Sequence, residues 1–283
     1  MTWLVIGSRG QLGTDLMDLL GDGAVGLDVP DIDITDVDSV SDAVYDLNPD
    51  VIVNCAAYTA VDAAESDEEQ AAMVNGLGPA NIAEAASQAR LIHVSTDYVF
   101  DGSATSPYAE SAEPAPASAY GRTKLRGEQA VSRHQEAYIV RTAWLYGVHG
   151  QNFVKTMLGL EQTKETLSVV DDQVGQPTWS RDLARQIILL GESDAQPGIY
   201  HGTNSGQTSW YGLTLRIFEL IGADPDRVLP TTTDQFPRPA PRPAYSVLGH
   251  ERWATANLPE MRSWDQALEQ ALPHIQAAYR NEA

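Results

Sequence analysis

The chain has 283 residues, 43% of them hydrophobic, and no apolar run near the roughly 18 residues that a membrane span requires. Acidic residues outnumber basic ones 39 to 18, a net charge of −21 that disfavours a nucleic-acid partner, because a phosphate backbone would be repelled. One cysteine, Cys55, excludes an internal disulfide; it lies in the apolar run VIVNCAA, reads as a small core residue, and suits a cytoplasmic protein.

In chain order, WLVIG (3–7) predicts a strand and QLGTDLMDLLG a helix. AVGLDV then predicts a strand, DSVSDAVYDL a helix, DVIVNCAA a strand and DEEQAAMVNGLGPANIAEAASQA one long helix. RLIHVSTD (strand), YGRTKLRGEQAVSRH (helix) and EAYIVRTAWLYG (strand) complete the first half. Strands alternating with helices indicate βαβ units, hence a doubly wound parallel sheet of Rossmann type in an α/β protein. Beyond Gly147 come the helix NFVKTMLGLEQT, a short strand plus loop in LSVVDDQVGQPTW, and the helix RDLARQIILLGE. GIYHGTN reads as a strand returning to the main sheet, followed by the helix SWYGLTLRIFELIG, a segment with five prolines (PTTTDQFPRPAPRPAYSVL) and the helix WDQALEQALPHI. The expected division is a nucleotide-binding domain over 1–150 plus about 178–203. A smaller, discontinuous substrate lobe would take about 151–177 and 204–283.

The first strand runs into Gly7, Gly10 and Gly13, spaced GxxGxxG and opening the first helix. Glycine permits the tight turn and lets a pyrophosphate approach the amides at a helix N-terminus. Asp28 ends the second strand, where an acid takes ribose hydroxyls and favours NADH; Arg9 within the turn offers a phosphate partner, so NADPH stays open.

The stretch HVSTDYVFDG ends an apolar strand in Ser95, Thr96, Asp97 and Tyr98. Burying each unpaired polar group costs roughly 1–3 kcal/mol, so these residues are expected at a site rather than in a core. Farther on, Tyr120 and Lys124 stand four apart where a helix begins and so share one face. A cation there is expected to lower the Tyr120 pKa and make the phenol a proton donor for a carbonyl receiving hydride, with Thr96 bonding that carbonyl. In a chain with only three lysines, keeping one at this place strengthens the reading.

The GxxGxxG spacing resembles that of the extended short-chain dehydrogenase/reductase family. Within it, NCAAYTAVDAAES, VSTDYVFDG, YGRTKLRGE, RTAWLYG, NFVKTML, LSVVDDQVGQPT and RPAYSVL look like the dTDP-4-dehydrorhamnose reductases, in order and over nearly the whole chain. The resemblance implies NADH- or NADPH-dependent reduction of the 4-keto group of a dTDP-4-keto-6-deoxyhexose, dTDP-4-dehydro-β-L-rhamnose. It implies Thr96, Tyr120 and Lys124 as the catalytic residues, with Tyr120 and Lys124 also touching the cofactor. Gln11, Leu12, Asp33, Ile34, Ala56, Ala57, Thr59 and Asn75 would join the glycine turn, Arg9 and Asp28 along the cofactor. Thr96, Asp97, Tyr98, Trp144, Gln173, Pro177 and Arg242 would face the substrate, Trp144 against the hexose and Arg242 at the nucleotide end.

Members of that family that dimerise through magnesium use interface glutamates, one just after the glycine turn. This chain has Asp15 there, so no metal is expected, although a homodimer stays open. Two other readings stay open: a different nucleotide-sugar 4-ketoreductase or epimerase, and a regulatory subunit resembling methionine adenosyltransferase β. Relatives of the regulatory kind lack the RTxWLYG tryptophan and the DDQxGxPT loop, both intact here as Trp144 and residues 171–178. Finally, the acids are dispersed along the chain, as on the surface of a halophile protein, where molar salt screens beyond about 3 Å.

Overall fold

The computed structural model describes residues 1–282. The first half alternates β1 (Trp3–Ile6), α1 (Gln11–Leu20), β2 (Ala24–Leu27), α2 (Val37–Leu47) and β3 (Val51–Asn54). A helical run follows, made of α3 (Val61–Ala64), α4 (Glu68–Ala72), a π-turn (Met73–Leu77) and α5 (Gly78–Ala85). Then come β4 (Arg90–Thr96), α6 (Ala119–Val131) and β5 (Ala137–Thr142). The expected single long helix is therefore interrupted. Pro79 has no N–H to give the Asn75 carbonyl four residues back, and the ladder loosens to i→i+5 there.

The chain continues through β6 (Leu145–Tyr146), α7 (Phe153–Thr163), β7 (Leu167–Val170), β8 (Val174–Gly175), β9 (Thr178–Trp179) and α8 (Ser180–Glu192). It ends with β10 (Gly198–His201), β11 (Thr208–Ser209), α9 (Trp210–Ile221), β12 (Val228–Thr231), α10 (Glu251–Thr255) and α11 (Trp264–Glu282). Six strands form one parallel sheet in the order β10-β5-β4-β3-β1-β2. GIYHGTN does return to this sheet, with Gly198 to His201 pairing Tyr138 to Arg141.

Alternate residues of each strand point to opposite faces, so both faces must be covered. Trp3, Val5, Val51, Val53 and Ile92 pack under α1 and α8 through Leu12, Leu16, Leu183 and Ile187. Leu4, Ile6, Ile52 and Leu91 pack on the other side with Val40, Val44, Ile82 and Val131 of α2, α5 and α6. A separate core joins α7, α9 and α11 through Val154, Leu158, Leu213, Ile217, Leu268, Leu272 and Ile275. That packing carries α11 past Pro273, well beyond the expected WDQALEQALPHI.

The predicted strand EAYIVRTAWLYG is also split. Trp144 adopts φ 46°, a left-handed conformation unusual for a bulky residue, and Leu145–Tyr146 turns away to pair with β9. The kink aims the indole into the cleft above the sheet instead of along β5.

Candidate active site

The C-terminal ends of β1, β3, β4 and β5 open into a cleft of about 640 Å³. Its cofactor-side wall begins with the glycine turn, whose three glycines answer different demands. A Cβ on Gly7 (φ +80°) would lie 2.6 Å from the Ala56 nitrogen, and one on Gly13 2.1 Å from the Gly7 carbonyl oxygen. Both must therefore be glycine for the chain to pack against itself. Gly10 is different: a Cβ there meets only the Gly7 oxygen, at 3.3 Å. It caps α1 without a side chain, leaving the first-turn amides and an open approach for an anion. Gln11, Leu12, Asp28, Asp33 and Ile34 line the cleft beyond the turn, and Ala56, Ala57 and Thr59 line it after β3.

Two residues expected along the cofactor lie elsewhere. Arg9 is outside the cleft lining and is held by the loop after β2, its Nη2 2.7 Å from Asp31 Oδ2 and its Nη1 donating to the Val29 carbonyl at 2.9 Å. Asn75 is fully buried behind the wall. Its amide oxygen accepts from Tyr58 N at 2.8 Å, and its nitrogen donates to Tyr58 O at 3.1 Å and Thr123 Oγ1 at 3.2 Å. It ties the loop after β3 to α6.

The proton-handling groups converge from β4 and α6. The Ser118 side chain caps α6 by accepting from Gly121 N, and a Cβ on Gly121 would strike the Tyr98 carbonyl at 2.1 Å. That close contact seats the start of α6 on the turn after β4, so Thr96, Asp97, Tyr98, Tyr120 and Lys124 all line the cleft. Thr96 Oγ1 donates to Asp97 Oδ1 at 2.9 Å and accepts from Tyr98 N at 3.2 Å. The rings of Tyr98 and Tyr120 meet edge to face, 5.6 Å between centroids. Lys124 Nζ donates to the Val94 carbonyl at 2.7 Å.

Burial dominates the electrostatics. It pushes the Asp97 carboxyl up to about 6, against hydrogen bonds from Ser246 and Thr96. Tyr120 rises to about 12, through burial and then the nearby Asp97 charge, while the Thr96 hydrogen bond opposes the rise. Burial lowers Lys124 to about 8, opposed by Glu128. The expected lowering of Tyr120 by Lys124 is thus absent: the ammonium is turned onto a backbone carbonyl, and desolvation outweighs attraction. The cleft holds a protonated phenol, which is the form a proton donor needs.

On the far side, Trp144 lines the cleft with its back stacked on Trp210, centroids 3.5 Å apart and planes within 6°. Three expected substrate residues are outside the cleft lining. Gln173 accepts from Trp210 Nε1 at 3.1 Å and donates to Thr233 Oγ1 at 3.0 Å, so it holds the second indole. Pro177 is buried beside β9. Arg242 borders a small recess of about 30 Å³ next to Tyr98 and is paired with Asp62 at 2.9 Å.

The sequence reading missed another cleft residue. Ser95, expected at the site with its three neighbours, and Thr142, which the sequence did not mark, have buried hydroxyls without hydrogen-bond partners, and both line the cleft. Thr142 ends β5 in register with Thr96. The rule that α/β sheets bind ligands at strand ends would have found it. Cys55 packs against the core as expected and also lines the cleft, its thiol pushed up to about 12 by burial and hence unreactive. The orphaned hydroxyls, the uncapped helix start and the open face at Gly10 fit a nicotinamide dinucleotide. Near the turn, Asp15, Asp18 and His149 bring possible ligand atoms within 4.8 Å of one another. Asp15 is already engaged there, accepting the Ser180 hydroxyl and facing Arg181 at 3.5 Å, so it joins α1 to α8.

Comparison with known proteins extends this picture over the full length. Residues 1–277 match the family described as RmlD substrate binding domain. A probable dTDP-4,6-dihydroxy-2-methyloxan-3-one 4-ketoreductase of Streptomyces antibioticus is 49% identical, covering 98% of this chain and 97% of that protein. A dTDP-4-dehydrorhamnose reductase of Streptomyces griseus is also 49% identical, over 96% and 93%. The crystal structure of dTDP-4-dehydrorhamnose reductase from Bacillus anthracis in complex with NADP superposes with a TM-score of 0.93 at 38% identity, over 96% and 99%. With a Rossmann-type sheet, a glycine turn and a Thr–Tyr–Lys cluster in one cleft, the chain belongs to the RmlD family of dTDP-4-dehydrorhamnose reductases, which are NAD(P)H-dependent oxidoreductases.

Proposed function

We propose that this protein reduces the 4-keto group of dTDP-4-dehydro-β-L-rhamnose to give dTDP-β-L-rhamnose, with NADH or NADPH as reductant. The observation that carries the reading is the meeting of Thr96, Tyr120 and Lys124 with the glycine turn in one cleft. When bound, the nicotinamide supplies a hydride to C4. Thr96 holds the C4 oxygen, and Tyr120 Oη–H gives its proton to that oxygen as it becomes an alkoxide. A phenol at about 12 stays protonated at neutral pH, the form that this transfer requires. Lys124, mostly charged at pH 7 and held on the Val94 carbonyl, donates to the nicotinamide ribose.

Asp97 accepts sugar hydroxyls and Trp144 covers an apolar face of the hexose. Arg242 turns from Asp62 to meet the diphosphate, in a protein whose charge otherwise repels it. We assign the cofactor to residues 1–150 plus about 178–203, and the nucleotide sugar to the remainder together with Thr96, Asp97 and Trp144 at the ends of β4 and β5. Cytoplasmic location completes the proposal, with no metal and no membrane or nucleic-acid partner; among the described residues no helix is long and apolar enough to cross a membrane.

A related 4-keto-6-deoxyhexose is the second reading, favoured by the equal identity to a relative named for a different sugar. The experiment is purified protein in molar KCl with either reduced cofactor and enzymatically made dTDP-4-dehydrorhamnose, followed at the cofactor's absorbance with the sugar product identified. Stoichiometric oxidation with dTDP-rhamnose formed supports the proposal. No oxidation, or a C3 or C5 epimer of the keto sugar without net oxidation, removes it.

A further inference from the structure

We propose that Asp31, through its ion pair with Arg9, biases the protein towards NADH over NADPH. The inference rests on the nicotinamide-cofactor reading above and names a specificity-determining position for it.

The two cofactors differ by one group, the phosphate on the adenosine 2′ oxygen. In a sheet of this topology the residue closing β2 marks where that ribose sits. Here it is Asp28, in the cleft wall, with Asp33 also in the wall and Asp31 between them. The Asp28 carboxylate accepts one backbone N–H at each oxygen, Arg9 N at 2.9 Å and Val29 N at 2.8 Å. Each oxygen keeps a lone pair, so a ribose 2′-hydroxyl can still donate to it.

A 2′-phosphate finds the opposite conditions. It is an anion among three carboxylates, and the cation offered at the turn is Arg9. That guanidinium is engaged twice, by Asp31 at 2.7 Å and by the Val29 carbonyl at 2.9 Å. To bind the phosphate, Arg9 must leave Asp31, which then stands unneutralised beside the new anion. NADH requires neither step. Both partners are well exposed, 62% for Arg9 and 45% for Asp31. The pair is therefore a competitor and not a lock, so it sets a ratio rather than an exclusion. Asp31 is outside the cleft wall and acts through Arg9 as a positioning residue.

The test uses the full-length protein with Asp31→Asn, Arg9→Gln and the double variant, all verified as folded by their melting curves. Dissociation constants for NADH and NADPH are titrated by fluorescence without sugar substrate, so they do not depend on its identity. Freeing Arg9 should improve the NADPH to NADH affinity ratio about tenfold in Asp31→Asn, the scale of one charge-assisted contact. In the Arg9→Gln background the same change should lose most of that gain. Raising KCl from about 0.1 M to molar levels should shrink the effect, because exposed charges are screened. An unchanged ratio in Asp31→Asn overturns the proposal. So does an equal gain without Arg9, which would make Asp31 a plain repulsive charge. If neither cofactor binds any variant or the parent, the cofactor reading itself fails, and this proposal with it.

Discussion

The two walls of the cleft are built differently. The cofactor wall draws on short consecutive stretches, each at the end of a strand of one parallel sheet: Gly7–Gly13 after β1, Asp28–Ile34 after β2, Ala56–Thr59 after β3. The substrate wall depends on a kinked tryptophan and on supports that reach it indirectly, from Gln173 through Trp210 to Trp144. Where one backbone turn presents the site, most residues expected there are in the cleft wall. Where side chains support other side chains, Gln173, Pro177 and Arg242 fall outside it.

The largest effect should come at the seam between the walls. Tyr120→Phe removes the proton donor and should lower kcat by roughly 10²–10⁴-fold while leaving cofactor affinity near normal, measured by turnover and by fluorescence titration. Near-normal turnover would show that another group delivers the proton.

Within the cofactor wall, the glycines should separate stability from binding. Gly13→Ala puts a carbon 2.1 Å from the Gly7 oxygen, so it should cost about 1–3 kcal/mol in denaturant melts and weaken the cofactor as well. Gly10→Ala meets one backbone oxygen at 3.3 Å, a tight contact that a shift of a few tenths of an ångström relieves, so its melt should move by less than that of Gly13→Ala while cofactor affinity falls at least about tenfold. Equal effects in both assays would erase the distinction between the two glycines.

At the strand end that both walls share, pH should reveal Asp97. Burial raises its folded-state pKa from 3.8 to about 6. Between those values the folded protein retains a proton that the unfolded chain has released. Stability contributed below pH 4 is therefore lost as pH rises towards 6, by roughly 2–3 kcal/mol. Asp97→Asn should flatten that slope in melts from pH 4 to 7 and raise the neutral-pH melting temperature while impairing turnover. Lys124, lowered to about 8, should give kcat/KM an alkaline limb near that pH, well below the Tyr120 value of about 12. A limb only above pH 10 would contradict the buried ammonium.

The smallest effect tests the support behind the substrate wall. Gln173→Leu strips Trp210 Nε1 of its acceptor, and should raise the sugar KM several-fold without changing cofactor affinity. An unaltered KM would mean that stacking alone holds the indoles.

The alternation of strands and helices was legible because a sheet covered on both faces needs near-continuous apolar strands, as in WLVIG and DVIVNC. The site at the end of β4 was legible for the opposite reason: four polar residues in succession do not belong in a core. The π-turn was missed although Pro79 marks it, because its need arises from the Asn75 carbonyl one turn earlier. Thr142 was missed because a lone hydroxyl at a strand end resembles ordinary packing until its partner proves absent.

By itself the sequence determined the parallel α/β architecture, the glycine turn and the pairing of Tyr120 with Lys124, since all are set by periodicities and spacings within a few residues. Only the tertiary structure decided how these groups behave. Burial sets the Tyr120, Lys124 and Asp97 proton affinities, and folding brings Asp31 to Arg9, Asp62 to Arg242 and Trp210 to Trp144. Desolvation and contacts between distant segments depend on what surrounds a residue in space, and local spacing carries no record of it.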